Sequence, residues 1–295
     1  MICSIIDWYT RSSMTETAKL DSLAELLQCQ NCGYQQLLVQ SLALTCTQCG
    51  VVYPVIGGAA VFRSPPESVK VFPVGHVSNQ ISSTIIDWLA GLSGYSLNIG
   101  AGGTLAKVPR CIEMEYSVYR NTDVVGDAHE LPFKDNVFEA VVAFNVFEHL
   151  REPTKAAHEI FRVLKPGGKV MIHTAFLQPL HEEPVHFYNA TKYGVLEWFS
   201  DFEVKDCQVS WNFNPAFTLG WLSHDLLYYV SQVLGEEAHQ KLSEMTLKDL
   251  SQLWSNPEAR SGFLWDSLMS LPQSVQERFS AGFELVAVKP NTLAK

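Results

Sequence analysis

The sequence predicts an α/β fold, a mostly parallel sheet with helices on its faces, preceded by a small metal-binding ribbon. Three observations carry that prediction. Between Tyr95 and His173 short apolar strand patterns alternate with helical ones, and such alternation buries parallel strands under crossover helices. Leu97-Asn98-Ile99-Gly100-Ala101-Gly102-Gly103 runs an apolar strand straight into a glycine turn, where a backbone can approach a ligand at the carboxyl edge of a sheet. Cys29-x-x-Cys32 and Cys46-x-x-Cys49 are paired thiols at the spacing of a tetrahedral metal site.

The chain of 295 residues is long enough for two units, and 47% apolar residues suffice for a proper core. With 31 acidic against 21 basic side chains the formal charge is −10, which argues against a protein that works by neutralising phosphates on nucleic acid. No apolar run reaches the roughly 18 residues that span a bilayer, since Pro54, Gly57 and Gly58 break Val51–Phe62. Residues 1–25 read as an extension without a signal-peptide pattern, so a cytoplasmic protein is expected. Seven cysteines are too few for a disulfide scaffold.

The ribbon comes first, over residues 26–63. Gly33 and Gly50 follow the two Cys-x-x-Cys pairs at once, as the left-handed turn of a metal knuckle requires, and zinc is the expected ion on Cys29, Cys32, Cys46 and Cys49. A redox pair or an iron centre fits less well, because no βαβ pattern surrounds either pair. Leu37–Val39 and Leu42–Leu44 look like hairpin strands. Between Leu26 and Phe62 there is no charge, so this face is expected to pack on the rest of the chain or on a protein partner rather than on RNA. These residues resemble the Trm112-like zinc ribbons that often accompany methyltransferases.

Residues 64–76, with Pro65-Pro66, read as a linker, and 77–295 as the larger domain. Ile81, Ile85, Trp88, Leu89 and Leu92 recur at helical spacing. Strands are expected at Tyr95–Ile99, Arg110–Met114, Asp123–Val125, Phe138–Phe144 and Lys169–His173, with a helix at Pro153–Leu164 before the last. A helix at Lys192–Phe199, a strand at Phe202–Val209, a helical insertion at about 219–276 and a strand at Phe283–Val288 follow. The glycine turn is not a dinucleotide fingerprint, because Leu105 stands where a third glycine belongs, and no Gly-Lys-Ser/Thr makes it a phosphate loop. The next strand offers Glu113 and Glu115 to the hydroxyls of a ribose, and Glu115 lies nearer the carboxyl end. Asp127 follows the third strand, in reach of an adenine amine.

Asp127-Ala128-His129-Glu130-Leu131-Pro132-Phe133, Asn145-Val146-Phe147-Glu148-His149-Leu150 and Arg162-Val163-Leu164-Lys165-Pro166-Gly167-Gly168 resemble successive motifs of the class I S-adenosylmethionine-dependent methyltransferases, in a methyltransferase-11-like domain. The resemblance implies a Rossmann-like, seven-stranded sheet with helices on both faces and an antiparallel last strand after the helical insertion. It implies S-adenosyl-L-methionine as cofactor, with Gly100, Ala101 and Gly102 along its methionine end, Glu115 at the ribose, Asp127 and Ala128 at the adenine, and Asn145 closing the methionine side. Two departures stand out. Asn98 occupies a position where many members carry an acid, and Gly100–Arg110 leave room for only a turn or two of helix, so another segment, such as the Ile81–Leu92 helix, is needed to cover the turn.

If the methyl acceptor is a hydroxyl, a neutral histidine within reach can take its proton. His181 and His186, in His181-Glu182-Glu183-Pro184-Val185-His186-Phe187-Tyr188, are the candidates; the alternative is that they organise a loop through backbone carbonyls. The insertion is expected to form a lid, and a small-molecule or glycan-type acceptor is favoured. Methylation of an RNA base and a catalytically silent, partner-binding protein of the same fold are the rival readings.

Overall fold

The computed structural model describes residues 18–40 and 42–285. Residues 18–24 form helix α1, and the ribbon follows as an antiparallel meander of β1 (Leu37–Gln40), β2 (Ala43–Cys46), β3 (Val52–Ile56) and β4 (Ala59–Val61). Each strand is short because glycine or a positive-φ residue, such as Leu42 or Gly57, turns the chain within a few residues.

The parallel strands are β5 (Tyr95–Ile99), β6 (Cys111–Glu115), β7 (Val124–Val125), β8 (Phe138–Phe144) and β9 (Leu164–His173). They join the ribbon in one nine-stranded sheet of order β1-β2-β3-β4-β7-β6-β5-β8-β9, and every ladder from β4 across to β9 is parallel. The ribbon's last strand therefore extends the parallel sheet: Ala60 pairs with Val124 and Val61 with Val125.

Helices cover both faces of β8. On one, Ala140, Val142 and Phe144 pack with Leu89 and Trp88 of α2 (Ser83–Ala90). On the other, Val141 and Ala143 share a core with Ala156 and Ile160 of α3 (Pro153–Val163). The two-residue period of β8 thus sends alternate side chains into two apolar layers. Ser82 caps α2 by accepting from Ile85 N–H, and Pro153 starts α3 at a position where no amide donor is needed.

One expected strand is corrected, and a second lies partly outside the described residues. Residues 202–209 form none, because Glu203, Val204, Lys205 and Asp206 all lie exposed and bury no alternate face. Phe283–Leu285 are exposed and not in a strand, and 286–288 lie outside the described residues. Among the described residues the sheet keeps its mostly parallel character, and its strands beyond β5–β9 come from the ribbon.

The described residues up to Phe176 together with Phe187–Cys207, which include α4 (Lys192–Trp198), make one compact unit. Leu177–His186 and the described residues from Gln208 make a second. It is helical: of α5 (Pro215–Leu234), α6 (Glu236–Ser243), α7 (Leu247–Ser255), α8 (Phe263–Met269) and α9 (Gln273–Phe279), all but α7 contribute to a core around Val230, Leu242, Leu271 and Val275.

Candidate functional site

The carboxyl ends of β5, β6, β7 and β8 bring the expected site residues onto one edge. Gly100 and Gly102 leave β5 with φ of 65° and 64°, which L-residues rarely adopt. Gly100 also has no room for a side chain, since a Cβ there would stand 2.3 Å from Val146 Cγ2. The turn leans on β6: Gly100 and Ala101 N–H donate to Met114 O at 2.9 and 3.4 Å.

Glu115, the last residue of β6, points at this turn. Its Oε1 accepts from Gly102 N–H at 2.7 Å and its Oε2 from Tyr116 N–H at 2.8 Å. Burial pushes its carboxyl above the ordinary range, against the pull of those two amides. Glu115 O accepts from Gly126 N–H at 3.0 Å, so the β7 loop begins beside it. One residue further, Asp127 is half-exposed and Oδ1 accepts from His129 N–H at 2.9 Å, while Ala128 is buried. Asn145 closes the row after β8, at φ 57°, its N–H on His173 O at 2.9 Å.

Glu113, which shares Glu115's face, serves a different purpose. It is fully buried, accepts from Thr104 Oγ1 at 2.8 Å, and sits 3.8 Å from Lys107 Nζ. Lys107 also pairs with Asp123, which Lys19 of α1 meets at 2.8 Å. This network braces the connection from β5 to β6, where residues 101–110 contain no helix.

The turn is covered by Ser78, Asn79 and Gln80, residues that the sequence did not flag. Ser78 Oγ accepts from Gly103 N–H at 2.9 Å, Asn79 Nδ2 donates to Gly100 O at 3.0 Å, and Gln80 Oε1 accepts from Leu105 N–H at 3.1 Å. The expected cover was the α2 helix itself; the polar run before its cap takes the role because its side chains supply both donors and acceptors to the turn's remaining backbone groups. The short connection was the one available signal that a cover was needed.

The four ribbon cysteines converge as expected. Their Sγ atoms lie within 4.8 Å of one another, with Cys29 to Cys49 at 3.6 Å and Cys32 to Cys46 at 3.7 Å. A tetrahedron of thiolates at a Zn–S length of about 2.3 Å has edges of about 3.8 Å, so the donor set fits zinc. Gly33 and Gly50, at φ 72° and 74°, donate N–H to Cys29 O and Cys46 O and close the two knuckles. Tyr53 Oη lies 3.3 Å from Cys29 Sγ and accepts from Gln30 N–H at 3.0 Å, an outer contact that orients the sulfur.

His181 and His186 belong to the second unit, with rings 4.2 Å apart. His181 N–H donates to His186 Nδ1 at 3.2 Å, and His181 Nδ1 meets Pro179 O at 2.9 Å. A carbonyl only accepts, so His181 carries a proton on Nδ1; His186 accepts on Nδ1, and its neutral ring carries the proton on Nε2.

A family model described as a methyltransferase domain matches residues 107–172, the stretch that holds β6 to β9 and the Glu115, Asp127 and Asn145 positions. The ubiquinone/menaquinone biosynthesis C-methyltransferase UbiE of Pasteurella multocida is 28% identical over 121 residues, 41% of this chain and 45% of that protein. The chain spans less than half the length of the curated relatives it matches. Among solved structures, the [4+2]-cyclase SpnF aligns with a TM-score of 0.38 at 20% identity, over 52% of this chain and 69% of that one. A phosphoethanolamine N-methyltransferase 2 of Haemonchus contortus, in complex with S-adenosyl-L-methionine, aligns with a TM-score of 0.34 at 19% identity, over 60% of this chain and 47% of that one.

Proposed function

We propose that this chain is an S-adenosylmethionine-dependent methyltransferase acting on a small-molecule acceptor. One observation carries the reading most: the Glu115 carboxylate stands against the Gly102 amide at the tip of the strand beside Asp127, inside the segment matched by the methyltransferase model. A carboxylate with two oxygens suits a pair of vicinal hydroxyls, and a second carboxylate one strand away suits an exocyclic amine. When bound, S-adenosylmethionine supplies a methyl group on a positively charged sulfur, open to in-line displacement. The chain's own part is positioning, which in well-oriented reactions reaches effective molarities of about 10⁵ M or more. Gly100, Ala101 and Gly102 offer a close backbone, Glu115 and Asp127 hold the nucleoside, and Asn145 borders the reacting end.

His181 and His186 are proposed for acceptor chemistry. With its proton on Nδ1, His181 would act as a base through Nε2 when neutral, and His186, whose Nδ1 accepts from His181 N–H, keeps its own ring proton on Nε2. Similarity to C-methyltransferases of ubiquinone and menaquinone biosynthesis supports a small acceptor over a macromolecule, and the uncharged ribbon and net charge of −10 weigh against RNA. The ribbon is proposed to hold one zinc and to be Trm112-like.

Calorimetry with S-adenosylmethionine and with its demethylated product tests the reading. Both are expected to bind, and Glu115→Ala to weaken them about 10- to 100-fold, since charged hydrogen bonds to two hydroxyls are lost together. Binding of neither by the wild-type chain would refute the proposal.

A further inference from the structure

We infer that His129 is the residue that aims Asp127, and that it makes the site select an amino-purine over an oxo-purine. The inference rests on the cofactor reading above and extends it to a residue that lies outside that set.

The backbone N–H of Glu152, the residue that caps α3, points at His129 Nε2 at 3.2 Å. An amide N–H only donates, so Nε2 presents its lone pair and the ring proton is on Nδ1. That proton faces Asp127 Oδ1, 2.5 Å from Nδ1. Oδ1 accepts a second time, from His129's own N–H at 2.9 Å. Glu130 N–H donates to Asp127 O at 3.1 Å and closes the turn.

The outcome is a carboxylate with one oxygen doubly engaged and the other, Oδ2, left to accept from a ligand. His129 is largely buried, at 17% side-chain exposure, whereas Asp127 is at 50%, so the histidine is the fixed member and the aspartate the one that meets solvent or ligand. The start of a long-range element, α3, thereby sets the direction of a single acceptor at the end of β7. An acceptor held this way rewards a ligand that donates, such as the amine of adenine, and leaves a carbonyl in the same place facing a carboxylate, which is the costlier mismatch.

The test uses the full chain and calorimetry with two ligands, S-adenosylhomocysteine and its deaminated counterpart S-inosylhomocysteine. The wild type is expected to prefer the adenosyl form. His129→Ala is expected to lose about tenfold in affinity for the adenosyl form, one charged hydrogen bond's worth of aim, with the inosyl form unchanged. Two further variants separate aim from mere folding. The amide nitrogen of Asn reaches roughly where Nδ1 stands, so His129→Asn should restore the preference. Gln reaches toward Nε2 and can accept from Glu152 N–H without donating to Asp127, so His129→Gln should behave like the alanine variant. Equal loss of both ligands, equal behaviour of the Asn and Gln variants, or wild-type affinity in His129→Ala would each overturn the inference. A wild-type chain that binds neither ligand would instead sink the cofactor reading, and this inference with it.

Discussion

At the scale of single residues, the site is defined by what cannot change. Gly100 combines a left-handed backbone, worth about 1–2 kcal/mol against any L-residue, with a contact that leaves no space, since its absent Cβ would meet Val146 Cγ2 at 2.3 Å. Overpacking of that kind typically costs about 1–3 kcal/mol. Gly100→Ala is therefore expected to destabilise the protein by about 2–5 kcal/mol in urea denaturation. Because part of the cost lies in one contact, adding Val146→Ala should give a double variant more stable than the sum of the two single losses; strict additivity would show that the contact is not the cause. The neighbouring pair Asn98 and Glu113 follows the same logic of proximity. They occupy one register position on β5 and β6, both buried. An acid at 98 would set two carboxylates side by side about 4.8 Å apart, a strand spacing, which is a physical reason for asparagine here.

Glu113 shows what the connecting element demands. Burial pushes its carboxyl above the ordinary range, with Lys107 and Thr104 pulling it back. A carboxyl raised in the folded state contributes stability that is complete below its unfolded pKa of about 4.3 and is lost as pH rises through the folded value. Glu113→Gln carries no such titration and keeps an acceptor for Thr104. Melting temperatures of the two proteins are thus expected to converge on, or cross toward, the variant's advantage as pH climbs from about 4 to neutrality; a difference that stays flat with pH would exclude the buried carboxyl as its source. Elements were readable in the sequence where one pattern served one burial. Tyr95–Ile99 and Phe138–Phe144 emerge with the expected bounds, and α3 within a residue, because their apolar periods face fixed layers. The placement of the glycine turn, Glu115 and Asp127 at strand tips was legible too. What stayed hidden depends on partners distant in the chain. Nothing in Ala59-Ala60-Val61 announces that it pairs with β7, and nothing in Ser78-Asn79-Gln80 announces a cover, because polar turns carry no period. The converse error lies at Phe202–Val209, where alternating apolar and charged residues mimic a strand yet find no sheet edge to join.

Across the whole first unit, the ribbon and the parallel sheet are one hydrogen-bonded object, and this has a consequence for metal. Ala60 N–H donates to Asp123 O at 2.9 Å and Phe62 N–H to Val125 O at 2.8 Å, so β7, two residues long and fully buried, lies between the ribbon's β4 and β6. Structural zinc folds the segment that binds it. Its loss should release β4, leave β7 as an open edge, and loosen the loop that carries Asp127. One zinc per chain is expected by metal analysis, and none in Cys46→Ser, whose wild-type thiol is buried among the four. After zinc is stripped by a chelator, hydrogen exchange should quicken in peptides covering 59–62 and also in those covering 123–127, and affinity for S-adenosylhomocysteine should fall. Faster exchange confined to the ribbon, with 123–127 as protected as before, would mean that β7 holds its place through β6 alone and that the metal is irrelevant to the site.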